Sequence, residues 1–265
     1  MERMKRYTKI YNMLLKLNFS SLIAYRSNFI HNLFASSVWA AFSIISIELM
    51  TARTPRVYGW SRDEVLLLTG VYNIIVGVFY MLFSRNFQKF SNIVHMGKLD
   101  SILTKPIDPL FFLTCYYFNY TSVLRVILGI AFSIHIVLRM HIPITLFTLI
   151  NFVLLMIVSL ILLYSIWCLV ITLTIKYTRF SNLVDVLYTL NGVSRYPPKM
   201  LQGLKSQLVI FLLPLTFLIA TPSQVLIHKA LTGEIWILVF LATFFLIASR
   251  LFFTYMLRYY TSASG

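Results

Sequence analysis

The chain has 265 residues, of which 59% are hydrophobic and 12% charged, with a net charge of +15 and a mean hydropathy of +0.81. A water-soluble domain carries about a quarter charged residues and cannot hide this much apolar surface, so the composition excludes a soluble globular protein and points to a bilayer. The positive charge does not indicate a nucleic-acid partner, because the basic residues are scattered between apolar runs and form no single patch.

Residues 1–26 carry Lys5, Lys9, Asn12, Lys16 and Ser20 on one side at helical steps, and Tyr7, Ile10, Leu14 and Leu17 on the other. This pattern predicts an amphipathic helix lying on the membrane surface. It is not expected to be a secretory signal, since the first sustained apolar run begins only near Asn28.

A membrane helix needs about 20 mostly apolar residues. On that scale spans are predicted at 29–50, 65–84, 110–138, 144–175 and 235–257. The stretch 180–221 is less regular. Its first piece, Phe180 to Arg195, carries Asn182, Asp185, Asn191 and Arg195. Its second, Leu204 to Ala220, is more apolar but contains Pro214, and Tyr196, Pro197 and Pro198 separate the two. Broken helices are tolerated at membrane depth where protein or a wet cavity covers the backbone. We count one crossing here in two pieces. The expected fold is all-α and integral to the membrane, with six transmembrane helices in residues 27–265. Hydropathy favours the second piece as the one that crosses.

The basic residues set an orientation. One set of segments holds Arg3, Lys5, Arg6, Lys9, Lys16 and Arg26, then Arg85, Lys89, Lys98 and Lys105, then Lys176, Arg179 and Arg258. The opposite set holds only Arg53, Arg56, Arg62, Arg139 and Lys229. Lys and Arg are retained on the cytoplasmic side, so both termini are expected there, with the polar segment 85–108 on the same side.

That segment, RNFQKFSNIVHMGKLDSILTKPID, interrupts two long apolar runs. Phe83, Phe87, Phe90 and Val94 recur at helical spacing, which predicts a short helix continuing out of the second span. Gly97 is placed to end it. Lys98 to Thr104 can form another turn, and Pro106 and Pro109 stop it.

Signals for catalysis are absent. His31, His95, His135, His141 and His228 are scattered, and there is no H-E-x-x-H, phosphate-binding glycine loop or serine elbow. The chain is not expected to be an enzyme or to hold a cofactor, and without a P-loop it cannot hydrolyse ATP itself. Cys115 and Cys168 read as buried small hydrophobes. Arg125 is placed deep in the third predicted span. A charge there costs several kcal/mol, so it must face protein or water. Asp185 is the only acid near a span that could pair with it. Arg125, Asp185 and Asn191 are the candidate pathway residues.

The stretch GKLDSILTKPIDPLF between the second and third spans resembles the corresponding loop of type-2 ATP-binding-cassette (ABC) transporter permeases, in particular a bacterial six-span branch. The later stretch RYPPKMLQGLKSQLVIFLLPLTFLIATPSQVL is similar as well, with Tyr196-Pro197, Pro214 and Thr221-Pro222 ahead of the last span. The resemblance implies that the loop 85–109 contains a cytoplasmic coupling helix. Its ATPase-coupling residues would be Gly97, Leu99, Asp100, Leu103, Lys105 and Pro106. The N-terminal helix would flank the same ATPase, and the crossing would fall in Phe180 to Arg195. The implied partners are a cytoplasmic P-loop ATPase dimer, which carries ATP and Mg, a second copy or a paralogous permease, and membrane lipids. The implied role is the permease of an ATP-driven exporter in the bacterial cell membrane. The rivals are an ion-coupled secondary transporter, which needs intramembrane acids and often internal repeats, and an integral-membrane enzyme.

Overall fold

A computed structural model describes residues 2–54, 56–177, 183–203 and 206–260, excluding the side chains of 2–4 and 201–211. The N-terminal helix α1 (Glu2–Ala24) turns at Tyr25 into α2 (Arg26–Thr51). A small antiparallel hairpin, β1 (Arg56–Val57) with β2 (Trp60–Ser61), leads into α3 (Arg62–Phe79). The start of α3 is fixed by a capping box. The Ser61 hydroxyl accepts from the Glu64 main chain, and the Glu64 carboxylate accepts from the Ser61 main chain. The helix runs through a π-helical turn (Tyr80–Ser84) into α4 (Arg85–His95). Two short helices follow, α5 (Asp100–Leu103) and α6 (Pro109–Cys115). Then come α7 (Val123–Arg139) and α8 (Leu146–Thr172), the short α9 (Leu183–Asn191), and finally α10 (Ser206–Leu226) and α11 (Thr232–Met256). Five helical stretches among the described residues are long and apolar enough to cross a membrane: Arg26–Thr51, Arg62–His95, Tyr120–Arg139, Leu146–Ile175 and Thr232–Tyr259.

The stretch from α3 to α4 is the most enclosed of the five. Val65 to Leu68, Val71, Ile75, Val76 and Phe79 are all within the core. It crosses α7 closely because Gly129 has no side chain. A Cβ there would stand 3.0 Å from the main-chain nitrogen of Ile74 and 3.1 Å from the Asn73 Cβ. Within lipid, apolar side chains gain little by meeting one another, and close backbone approach at small residues is what holds helices together.

Contacts define two ends of the bundle. At the hairpin end, Arg62 pairs with Glu48, Arg139 with Asp63, and Lys229 with Glu64, while His228 meets the Pro143 carbonyl. At the opposite, loop end, the Lys176 ammonium lies over the Tyr259 ring, and Arg250 of α11 grips Asp108.

The third predicted span is not one helix. The sequence reading made 110–138 continuous, whereas the helical path is broken between α6 and the 3-10 turn Tyr120–Ser122. The freed main chain is satisfied by distant groups. The Asn86 carboxamide donates to the Tyr117 carbonyl (2.8 Å) and accepts from the Tyr117 N–H (2.7 Å). The Asn119 N–H donates to the Met81 carbonyl, and Asn18 donates to the Tyr116 carbonyl. An unpaired peptide group inside a bilayer would cost several kcal/mol, so these partners decide where the chain can bend.

The irregular region resolves by its ends. Lys176 is at the loop end, whereas the Lys199 ammonium lies beside Gly59 at the hairpin end. The chain is thus at the loop end at Lys176 and at the hairpin end at Lys199, with α9 and the 3-10 turn Gly192–Arg195 described between them. After α10 the chain is again at the hairpin end, at Lys229. Lys199 and Lys229, on either side of α10, are both at the hairpin end, and Pro214 lies inside the helix without ending it. Residues Arg179, Phe180, Asn182 and Leu204, which belonged to the sequence reading, lie outside the described residues.

The α1 helix is fastened along the loop end. Arg6 donates to the Pro106 carbonyl, the Tyr7 hydroxyl accepts from the Asp108 N–H, and the Tyr7 ring meets Phe111 edge-on. Leu14 is buried, but Leu17, read as part of the same apolar face, is exposed. Asp108 also caps α6 by accepting from the Phe111 N–H, and Arg250 donates to it at 2.9 Å. The Arg250 hydrogen bond, aided by the cap, holds the Asp108 carboxyl below the usual carboxylate range.

Two expectations follow from this packing. Gly129→Leu should destabilise the protein by about 1–3 kcal/mol, the usual cost of overpacking, read from unfolding in mixed micelles. Asp108→Asn should speed tryptic cleavage at Lys98 severalfold at neutral pH. Because the folded pKa is depressed, the Asp108 contribution is full above the ordinary value of 3.8 and is lost as pH falls through the folded value. Cleavage by an acid-active protease should therefore accelerate only in that acidic window.

Candidate functional site

The polar loop is a built turn. Helix α4 buries Phe87, Phe90 and Val94, as their spacing predicted. It ends with the Gly97 N–H bonded to the Val94 carbonyl and the Lys98 N–H bonded to the Ile93 carbonyl. Gly97 takes φ +65°, a left-handed conformation that side chains resist, and this pattern is the common glycine stop of a helix. Leu99 is wholly buried and Ile102 nearly so, which pins the loop to the body. The Asp100 carboxylate, together with burial, raises the pKa of the Tyr260 hydroxyl, burial being the larger cause.

The six predicted coupling residues therefore share one loop but not one surface. Leu103 and Lys105 are exposed, and the Lys105 ammonium stands over the Phe112 ring. Pro106 is exposed, though its carbonyl is held by Arg6. Gly97 and Asp100 are half-buried, and Leu99 has no exposed surface to offer. Met96, at 63% exposure, and Lys98 complete the outward face, and the sequence reading did not select them.

The second site is a cleft of about 1070 Å³ between α2, the π-helical turn, the broken segment ahead of α7, and α9. Arg125 forms part of its wall and is 7% exposed. The Arg125 Nε donates to the Asn73 Oδ1 at 3.1 Å, and its guanidinium lies 5.5 Å from the Tyr72 ring centre and 5.3 Å from that of Tyr80. Asn73 is itself anchored, donating to Ser43 Oγ and to the Thr69 carbonyl. The expected mate, Asp185, is exposed on α9 and makes no ion pair with Arg125.

A continuous helix over 110–138 would put Arg125 at its middle. The break before α7 places it in the first turn of that helix instead, packed beside Gly77. Its guanidinium is level with the stretch from Tyr72 to Tyr80, and the rings of these two tyrosines bracket it.

Asn191 is buried and accepts from the Trp167 indole N–H at 3.3 Å, so it belongs to the core beside the cleft. Its neighbours Tyr188, Thr189, Gly192 and Arg195 line the cleft. Asn73 and Asn86 were missed, although for Asn73 a carboxamide inside an apolar run was a visible signal. Arg195 was noticed only as a disruption of a span.

A family model described as ABC-2 family transporter protein matches residues 37–264, beginning within α2 and leaving α1 outside. Neither the curated proteins nor the solved structures compared with the chain give a match. The family match covers most of the chain and fits the apolar helices that contain the cleft. The chain belongs to the ABC-2 transporter family and is a multi-pass membrane permease, the transport component of an ABC transporter and not itself catalytic.

Proposed function

We propose that this permease is the membrane half of an ATP-driven bacterial exporter, with six crossings and both termini in the cytoplasm. In this reading ATP and Mg reside on a separate P-loop ATPase dimer, and two permeases, identical or paralogous, enclose the pathway. The observation that carries it is the loop Met96–Pro106 geometry: a turn pinned by buried Leu99 that presents Met96, Lys98, Leu103 and Lys105 outward. A rigid, exposed knob of mixed apolar and basic character suits a groove with an acidic rim on a soluble partner.

The fold supplies a path for force. Helices α3 and α4 form one uninterrupted rod from Arg62 to His95, so displacement at Gly97 is carried past Asn73 and Arg125 to the hairpin end. Arg250 links the same loop to α11 through Asp108. The break before α7 is a place where two arrangements can pivot without breaking a long helix. ATP-driven closure of the ATPase would move the loops, and the cleft would open alternately to the two sides.

Co-purification from native membrane tests the partner. A P-loop ATPase subunit should accompany the chain, and its absence would sink the exporter reading. Lys98→Glu and Lys105→Glu should each lower ATP-coupled transport by about tenfold, near 1.4 kcal/mol of lost coupling, while unfolding in micelles is unchanged. Asp100→Lys should impair transport too, but with a stability loss through Tyr260. Normal transport in all three variants would reduce the loop to a turn.

A further inference from the structure

We infer that the cleft at Arg125 binds an anionic phosphate group, and that its ligand is an amphiphile whose tail leaves over the aromatic face of α2. The proposal deepens the exporter reading by naming a cargo class, and it rests on that reading for the word cargo alone.

Charge is the first argument. The described lining contains Arg85, Arg125 and Arg195 and no Asp or Glu. Three cations without a counter-ion in a partly enclosed space repel one another and attract an anion. Arg125 is more than nine-tenths buried, yet only its Nε has a protein hydrogen-bond partner. The terminal nitrogens, which form the fork suited to phosphate or carboxylate, bond to no protein atom among the described residues. Arg195 repeats the pattern, since its Nε is buried without a hydrogen-bond partner. Leaving the buried Arg195 Nε donor unmatched is costly, and an oxyanion in the cleft would supply an acceptor.

The opposite wall is the second argument. Trp39 and Phe42 of α2 line the cleft and are 67% and 58% exposed, so a tail leaving the arginines would run over aromatic surface toward the bilayer. A free ion would gain nothing from that wall. With three arginines and no carboxylate in the described lining, the net field favours an anionic over a zwitterionic headgroup.

The test uses the full chain in nanodiscs of equal phosphatidylglycerol and phosphatidylcholine, followed by detergent washing and mass analysis of retained lipid. It needs no ATPase, so it can fail while the exporter reading stands, and the reverse. Wild type should retain phosphatidylglycerol over phosphatidylcholine by about tenfold. Arg125→Gln and Arg195→Gln should each cut that preference severalfold, with melting curves recorded for both. Arg195 is only partly buried, so its variant keeps the test alive if Arg125→Gln does not fold. Arg139→Gln, at the hairpin end, should leave the preference intact. Equal retention of the two lipids by wild type, or an unchanged preference in both cleft variants, would overturn the anion site. Displacement of the lipid by millimolar inorganic phosphate would overturn the amphiphile and leave a soluble anion as the ligand.

Discussion

The two-way hydrogen bond between the Asn86 carboxamide and the main chain of Tyr117 governs much of this architecture. In a bilayer a helix can stop only where other groups take over its peptide hydrogen bonds. Asn86, with the Met81 carbonyl and Asn18, does so for the segment between α6 and α7. Because the chain bends there, Arg125 enters at the start of a helix instead of at its middle. The same bend makes room for the cleft and gives α1 a surface to pack on, where Tyr120 donates to the Leu15 carbonyl.

Around that bend the molecule combines stiff and yielding parts. The rod from α3 to α4 is stiff because it is buried on most sides and crosses α7 at Gly129 without intervening side chains. The loop at its end is stiff for a different reason: a left-handed glycine stops the helix, and Leu99 and Ile102 pull the next turn into the core. By contrast the described stretch Leu183–Gly203 is a short helix followed by tight 3-10 turns. It carries Tyr188 and Arg195 to the cleft. One wall of the cleft is thus built from this irregular stretch, and the opposite wall from the long helix α2.

Several of these features were legible in the residues. The apolar runs located the long helices, and the phenylalanine spacing in 83–94 drew α4 and the face it buries. Gly97 was recognisable as a stop because only glycine takes that conformation freely. The family resemblance implies that the irregular crossing falls in its first piece; Lys176 lies at the loop end, and Lys199 and Lys229 at the hairpin end. The residues did not disclose that Leu99 is buried while Met96 is exposed, since both are apolar neighbours of one glycine. Nor did they disclose that Asn73, not Asp185, holds Arg125.

Composition and charge placement by themselves determined that this chain lives in a membrane and that its basic residues gather toward one side. Those are sums over local windows, and each residue contributes without reference to a distant one. Only the tertiary structure decided where the third apolar run breaks, where on its helix Arg125 sits and which polar groups meet. The physical reason is that each depends on a hydrogen bond or a close approach between residues far apart in the chain, such as Asn86 with Tyr117 and Gly129 with Ile74. Hydropathy assigns a cost to a buried asparagine or arginine, but whether that cost is met depends on the partner the fold brings to it.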